Sequence, residues 1–430
     1  MYVLFPSAHH DRFSHSLGVY HLGKIAFGNL SHNAAAIFTR VNHRRLERCK
    51  NSFLIACLLH DCAHTPFSHT CEKYLDIERN LDAELITAVG STKFKDDYQY
   101  ITSEPAPHEK ASAILVSVKF KDSIEEHGAD LELVARMIIG CKYCAPNFTQ
   151  QFENCLIELL HSKTIDVDKL DYITRDTWTS GVNNVSIDID RLLSAITIQK
   201  DESDKLRLAY GKSALSVLQN VVDARNYLYR WIYSHHKVIY FQELLTKAID
   251  ALAKLVSPDN PKDFYKKFFS LGSLLKPLNI GANVTIYLPT EGDLNYLFKQ
   301  HFGSIPEATE IFCCKQRKSL WKSFVEYERI FRNKSQDDRI QIERLTMNKL
   351  PEHWVQLGGN PNDLVISHVE PKIIELDKGD LHVVLDEGCV SYTDLFKQKE
   401  EQRIKFFHVY GPEKFIERKQ EILTFILDLT

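Results

Sequence analysis

The stretch from Ser52 to His69, SFLIACLLHDCAHTPFSH, constrains this chain more than any other. Its run Phe53, Leu54, Ile55, Ala56, Leu58 and Leu59 predicts a helix buried on nearly every side, yet it ends in His60, Asp61, His64 and His69. Imidazoles and a carboxylate are costly to bury unless they bind something. On a helix, His60 and Asp61 point about 100° apart and both reach one cation over the helix end. His64 is one turn on and shares the face of His60. Thr65-Pro66 stops the helix, because proline disfavours an α conformation at the residue before it, and this leaves Phe67, Ser68 and His69 on a turn. A His-Asp pair alone is uninformative. Three histidines and an aspartate within ten residues predict a site whose remaining ligands lie elsewhere.

The surrounding composition is that of an ordinary globular protein, 44% hydrophobic and 26% charged. At 430 residues the chain has room for two or three domains, or for one large helical domain with an appendage. A net charge of -4 argues against a general nucleic-acid or anionic-membrane surface. The 10 cysteines follow no framework pattern. With no signal peptide or membrane-length apolar run, the expectation is a reducing, cytoplasmic compartment and no membrane partner.

Taken in order, Tyr2 to Phe5 predicts a short strand ending at Pro6, and a helix follows from Asp11 with Phe13, Leu17, Tyr20 and Ile25 among its apolar positions. Arg12 and His15 share a face of that helix, and His15 is a plausible further ligand for the His-Asp site. Glu72 lies three residues beyond His69, the right distance for a carboxylate to orient a histidine. A Pro-rich loop, Ser103 to Pro107, precedes His108 and a helix. Cys141 and Cys144 form a CxxC without further ligands or a redox context, and are expected to be structural. An amphipathic helix is predicted over Phe148 to Leu160. Within Ile165 to Val182, Asp168, Tyr172 and Asp176 recur every four residues and form a half-buried acidic stripe. A long helix from Ala214 to about Tyr233 carries Arg225, Tyr229 and Tyr233 at the same spacing. Tyr233 to Lys237 closes it with a cationic end.

Beyond about residue 255 the pattern changes. A helix is expected over Asp263 to Leu275, strands over Val284 to Leu288, Leu364 to His368, Lys372 to Glu375 and His382 to Leu385, and a last helix from Pro412 to Leu427. The fold class is therefore mainly α: an all-helical core over 1–255 and a smaller, mostly antiparallel α+β lobe over 256–430, with a regulatory or oligomerisation role. No phosphate loop, GxGxxG or internal repeat occurs.

The ordered set FPSAHHDRFSHSLGVYHL, LLHDCAHTPFSH, PHEKAS, DVDKLDYITRD and ARNYLYRWIYSHHKV resembles the HD-domain deoxynucleoside triphosphate triphosphohydrolases. That family includes bacterial dGTPase-like enzymes and the animal sterile-alpha-motif and HD-domain protein. The resemblance implies a divalent transition metal (Mn, Fe, Zn, Co or Ni) held by His15, His60, Asp61 and Asp168, with Mg escorting the nucleotide. It implies hydrolysis of a dNTP at the α-phosphorus to deoxynucleoside and triphosphate. His69 would be the acid, held by Glu72, with His64 and His108 on the α-phosphate. Arg12, Lys169 and Arg225 match phosphate-binding positions, Tyr172 and Asp176 the sugar-facing pair, and Tyr229 and Tyr233 the sugar and base side. Homo-oligomers (dimers or tetramers) and an activating, allosteric nucleotide are further family expectations.

There are departures. Glu72 stands where some relatives have aspartate, and Tyr229 where the animal enzyme has histidine. Met1 falls after the segment that carries a Gln-Leu-Gly element and part of an allosteric site in relatives, so a short or truncated form is expected. Two other classes stay open: an HD hydrolase of a monophosphate, cyclic nucleotide or single-stranded nucleic acid, and a catalytically silent HD scaffold.

Overall fold

The computed structural model describes residues 4–75, 79–182, 186–281, 284–313, 317–373, 381–386, 388–395 and 405–429. Helices dominate it. The first long one, Arg12–Asn33, begins where the Asp11 carboxylate accepts from the Ser14 amide at 2.8 Å. Its inward face is His15, Ser16, Val19, Gly23, Ala26, Phe27 and Leu30. Phe13 and Leu17, expected among its apolar positions, are instead exposed. Two glycines set how closely this helix is approached. A Cβ on Gly23 would lie 2.8 Å from Cys57 Sγ of the His-Asp helix, and one on Gly18 would lie 1.9 Å from Asp171 Oδ1.

The His-Asp helix is His43–Leu59, capped by Asn42, and it buries Cys49, Ser52, Phe53, Ala56 and Cys57. It is one-sided rather than buried all round, since Leu58 is exposed. It also stops at Leu59, earlier than expected. His60 Nδ1 takes the Cys57 carbonyl at 3.0 Å, and the next amides make short turns, Cys62 to Leu59 and His64 to Asp61. A side chain that competes for the last carbonyls ends a helix. His60 and His64 are thus not on one helical face.

Helices Pro107–Lys119, Leu131–Ile139, Phe148–Leu160 and Val167–Ser180 complete the main core with the first two. Phe148–Leu160 has the expected bounds. In Val167–Ser180, Asp166 is the N-cap, accepting from the Lys169 amide at 2.7 Å. The CxxC follows Leu131–Ile139; both thiols are free, and Asp97 ties the segment by accepting from the Cys144 amide at 3.1 Å and Arg136 at 2.9 Å.

Helix Leu215–Tyr227 runs into a π-helical turn, Leu228–Tyr233, and the chain restarts as His236–Val256. The cationic run expected at a C-terminus therefore opens a helix. His235 Nδ1 accepts from the Lys237 amide at 3.2 Å, and burial together with His235 and Lys237 pushes His236 down to about 4, so the repulsion expected of positive charge there is relieved.

The core carries a hairpin absent from the sequence reading, Ile196–Lys200 with Leu206–Gly211. Leu206–Gly211 pairs in parallel with His382–Leu385, which pairs antiparallel with Gly388–Ser391. A second sheet sets Phe406–Gly411 antiparallel between Lys318–Ser319 and Val365–Val369, over a core around Trp321, Phe331 and Phe407. Leu278–Gly281 and Val284–Ile286 form a separate pair. The Asp263–Leu275 region breaks into Pro261–Phe269 and Leu271–Leu275, and the last helix breaks at Arg418 into Glu413–Glu417 and Lys419–Leu427. Lys372 and Ile373 are not in a strand, and 374–375 lie outside the described residues. Leu4 and Phe5 lie in a turn rather than a strand, and residues 2 and 3 lie outside. No helix among the described residues is long and apolar enough to cross a membrane.

Candidate functional site

Three elements converge on the end of the His-Asp helix. The first helix delivers Arg12 and His15, the turns after Leu59 deliver His60, Asp61 and His64, and Val167–Ser180 delivers Asp168. His15 Nε2 lies 3.1 Å and His60 Nε2 3.6 Å from Asp168 Oδ1, and the three ligand atoms fit within 4.8 Å of one another. Asp61 stands at the edge: its Oδ1 is 3.9 Å from His60 Nε2, while Oδ2 takes a hydrogen bond from Arg12.

The donor set fits a divalent cation. His60 Nε2 is buried with no hydrogen-bond partner, and its Nδ1 is committed to the Cys57 carbonyl. His15 Nδ1 is likewise committed, to Asp171 Oδ2 at 2.7 Å, which directs the Nε2 lone pair inward in the way carboxylate-backed histidine ligands are oriented. Asp171 in turn accepts from Arg175 Nε at 2.9 Å and Nη2 at 2.8 Å. Burial favours neutral imidazole, but hydrogen bonds to Asp168 and Asp171 outweigh it and raise His15 to about 10. His60 also goes up, against burial, because of Asp61 and Asp168. Asp168 stays well below the carboxylate range despite burial, held there by the neighbouring His15 and His60. An anion-rich pocket that recruits protons recruits a metal by the same attraction. Two imidazoles with carboxylates suit a first-row divalent ion.

A second histidine group adjoins the first. The ligand atoms of His64, His69 and His108 also fit within 4.8 Å of one another. His64 stacks on His108 with centroids 4.1 Å apart. Glu72, from a 3-10 turn, backs both neighbours: Oε2 meets His69 Nδ1 at 3.0 Å and Oε1 meets His108 Nδ1 at 2.6 Å. Both ring nitrogens of His64 are buried without a partner. Burial, then Arg12, then the neighbouring imidazoles hold His64 neutral, whereas Glu72 and Asp61 raise His108 against its burial. Asp61 joins the groups, with Oδ1 3.7 Å from His108 Nε2. The loop presenting His69 is strained: Phe67 and Ser68 both adopt left-handed backbone, at φ 59° and 54°. It is held by Thr65 Oγ1 on the Ser68 carbonyl at 2.9 Å, Arg12 on Ser68 Oγ at 2.7 Å, and the Phe67 amide on Glu291 Oε1 at 3.0 Å.

The other candidates form a third group. Tyr233 donates to Asp176 Oδ2, and Tyr229 packs edge-on against Tyr233 at 5.0 Å. Arg225 lies over the Tyr229 ring at 4.1 Å and donates to the Lys372 carbonyl at 2.6 Å, while its Nε is buried and unpartnered. The π-helical turn sets the Arg225, Tyr229 and Tyr233 spacing, a local widening frequent at functional sites. Tyr172 is half-buried on the Asp168 helix, its phenol pushed well up by burial and by Tyr229. Lys169 is engaged internally, donating to Asp166 at 2.6 Å and the Ser162 carbonyl at 2.7 Å. His10, Asp171, Arg175 and Glu291 are functional neighbours not expected from the sequence. The first three sit inside or beside the quoted motifs and were legible there, whereas Glu291 meets Phe67 across a separation of 224 residues.

No protein-family model matches the chain. Among curated proteins it is similar to an uncharacterized protein of Mycoplasma genitalium, 25% identical over 275 residues, 64% of this chain and 56% of that protein. It is 26% identical over 267 residues to the deoxynucleoside triphosphate triphosphohydrolase SAMHD1 homolog of Dictyostelium discoideum, covering 61% of this chain and 45% of that protein. For the SAMHD1 enzyme of Gallus gallus the figures are 25% over 342 residues, 75% and 49%. The chain spans about half the length of these curated relatives. The fold is shared with a crystal structure of a hypothetical protein from Aquifex aeolicus, at a TM-score of 0.58 and 22% identity over 98% of this chain and 89% of that one. The resemblance to HD-domain phosphohydrolases, and to the dNTP triphosphohydrolases among them, therefore holds at low identity.

Proposed function

We propose that this chain hydrolyses deoxynucleoside triphosphates to deoxynucleoside and inorganic triphosphate at a divalent-metal centre. One observation carries the reading: two adjacent histidine groups, one lined by carboxylates and the other set beside Arg12, share Asp61. The His15, His60 and Asp168 group is rich in anions and suits a metal. The His64, His69 and His108 group sets a neutral, unpartnered His64 beside Arg12, and suits a phosphate.

His15, His60, Asp61 and Asp168 would hold the metal, which when bound lowers the pKa of water and offsets phosphate charge. Arg12 and Arg225 bind phosphate oxygens, and Lys169 adds positive field from beside Asp166. His64 and His108 contact the α-phosphate. Water attacks the α-phosphorus, the bond from phosphorus to O5′ breaks, and His69 gives its Nε2 proton to O5′ while Glu72 holds Nδ1. The water oxygen stays in the triphosphate; of its two protons one restores His69 and the other leaves to solvent. Tyr172 and Asp176 face the sugar, with Asp176 accepting from the 3′-hydroxyl, and Tyr229 and Tyr233 line the sugar and base side.

The test is ion-pair chromatography of products from each dNTP, singly and mixed, with Mn, Fe, Co or Mg, beside Asp61→Ala. Deoxynucleoside with intact triphosphate, absent in Asp61→Ala, is the expected result. No turnover of any dNTP overturns the proposal and turns the search to monophosphates, cyclic nucleotides and single-stranded nucleic acid.

A further inference from the structure

His10 precedes the N-cap of the first helix and lies outside both histidine groups. Its Nε2 sits 2.9 Å from Asp176 Oδ1. Tyr233, from the π-helical turn, donates to the other oxygen of the same carboxylate. Asp176 is therefore gripped on both oxygens by residues from two distant segments of the chain. A carboxylate offers about four acceptor positions, so two anchors fix its plane and leave positions free for a ligand hydroxyl. The Asp176 side chain is 12% exposed and that of His10 23%, so the pair borders the site without being sealed from it. His10 Nδ1 is itself buried and has no partner among the described residues, a costly arrangement unless something docks against it.

We infer that His10 is a positioning residue for substrate selection: it holds the Asp176 carboxylate in the orientation that accepts the 3′-hydroxyl of a deoxynucleotide. With Nε2 committed to Asp176, the unpartnered Nδ1 adds a second polar atom beside that carboxylate. Tyr233 alone leaves Asp176 Oδ1 free to swing. The inference rests on the dNTP reading of Asp176 given above. It goes beyond that reading by assigning the preference for a 3′-hydroxyl to a pair of residues rather than to the carboxylate alone.

The test compares a dNTP with its 2′,3′-dideoxy analogue, in wild type, His10→Ala, His10→Gln and His10→Asn. Both KM and kcat are read, together with calorimetric dissociation constants in EDTA, where turnover is off. Thermal melts check that each variant is folded. Wild type is expected to favour the 3′-hydroxyl substrate. His10→Ala is expected to lose roughly tenfold on the dNTP, mostly in KM and Kd, and little on the dideoxy analogue, the scale of one hydrogen bond to a charged group. The Gln amide nitrogen reaches the place of Nε2 and should restore most of the preference. Asn, which reaches only the place of Nδ1, should not.

Should wild type bind both nucleotides equally, the 3′-hydroxyl role of Asp176 falls and the inference falls with it, whatever products the enzyme releases. A wild-type preference that survives in folded His10→Ala overturns the role of His10 alone. Equal losses on both nucleotides, with no rescue by Gln, reduce His10 to a structural residue and likewise overturn it. The binding arm in EDTA reads these outcomes even where no triphosphate is produced.

Discussion

Asp171→Ala is the perturbation that most directly probes the proposed metal set. Asp171 is outside the set of residues proposed to hold the metal. It accepts from His15 Nδ1 at 2.7 Å and from two nitrogens of Arg175, and its side chain is only 8% exposed. Without it, the His15 ring loses the partner that fixes its tautomer and rotation, and Nε2 no longer has a reason to face Asp168. Removing such a supporting carboxylate typically weakens metal binding by about 10- to 100-fold, or about 1.4–2.7 kcal/mol. Arg175→Ala leaves the His15 hydrogen bond in place, so its cost should stay below about threefold. Gly18→Ala reaches the same place sterically, since its Cβ would lie 1.9 Å from Asp171 Oδ1 and 2.5 Å from Arg175 Nη2. Competition for Mn(II) or Co(II) against a chromophoric chelator, with circular dichroism to confirm folding, gives the three affinities. The expected order of loss is Asp171→Ala and Gly18→Ala well above Arg175→Ala. Affinity within about twofold of wild type in a folded Asp171→Ala would refute the argument that Asp171 orients a metal ligand.

Other consequences concern stability, pH and the strained loop. Arg136 is fully buried and shared between Asp97, which is 2% exposed, and Glu132, so Asp97→Ala removes one of two carboxylate partners and should cost about 1.5–3 kcal/mol, read by chemical denaturation. His15 is raised to about 10, so in metal-free protein its stabilising contribution is full below about 6.5 and is lost as pH rises through about 10; the thermal midpoint should fall over that window. Metal binding should release protons over the same range, measurable by calorimetry in buffers of different ionisation enthalpy. Glu291→Ala frees the Phe67 amide and should lower kcat several-fold with a smaller effect on metal affinity, since that loop meets the proposed metal set only through Arg12 on Asp61.

Much of this site is legible in sequence because helical spacing carries it. Asp168, Tyr172 and Asp176 lie on one uninterrupted helix, with a visible Asp166 cap, so four-residue spacing placed them correctly on one stripe. The His-Asp motif was legible as a cluster but not as a shape. Periodicity extends the helix to Thr65, whereas the His60 ring takes a backbone carbonyl and turns the chain at Leu59. The π-helical turn is invisible for a related reason: Leu228–Tyr233 differs from an α-helix in hydrogen-bond register, not in residue pattern. The helix Gln336–Gln356 was not expected from the sequence; Pro351 inside it argues locally against a helix, and packing of Leu350 and Trp354 prevails. Contacts between distant segments, such as Arg225 with the Lys372 carbonyl, have no local signal at all.

The most direct measurement of the chemistry is a reaction in H2 18O with a dNTP, read by mass spectrometry of the separated products. Attack at the α-phosphorus with departure of O5′ predicts one 18O in inorganic triphosphate and none in the deoxynucleoside. Label in monophosphate or diphosphate, or in the deoxynucleoside hydroxyl, would contradict the assignment of nucleophile and leaving group to the two histidine groups.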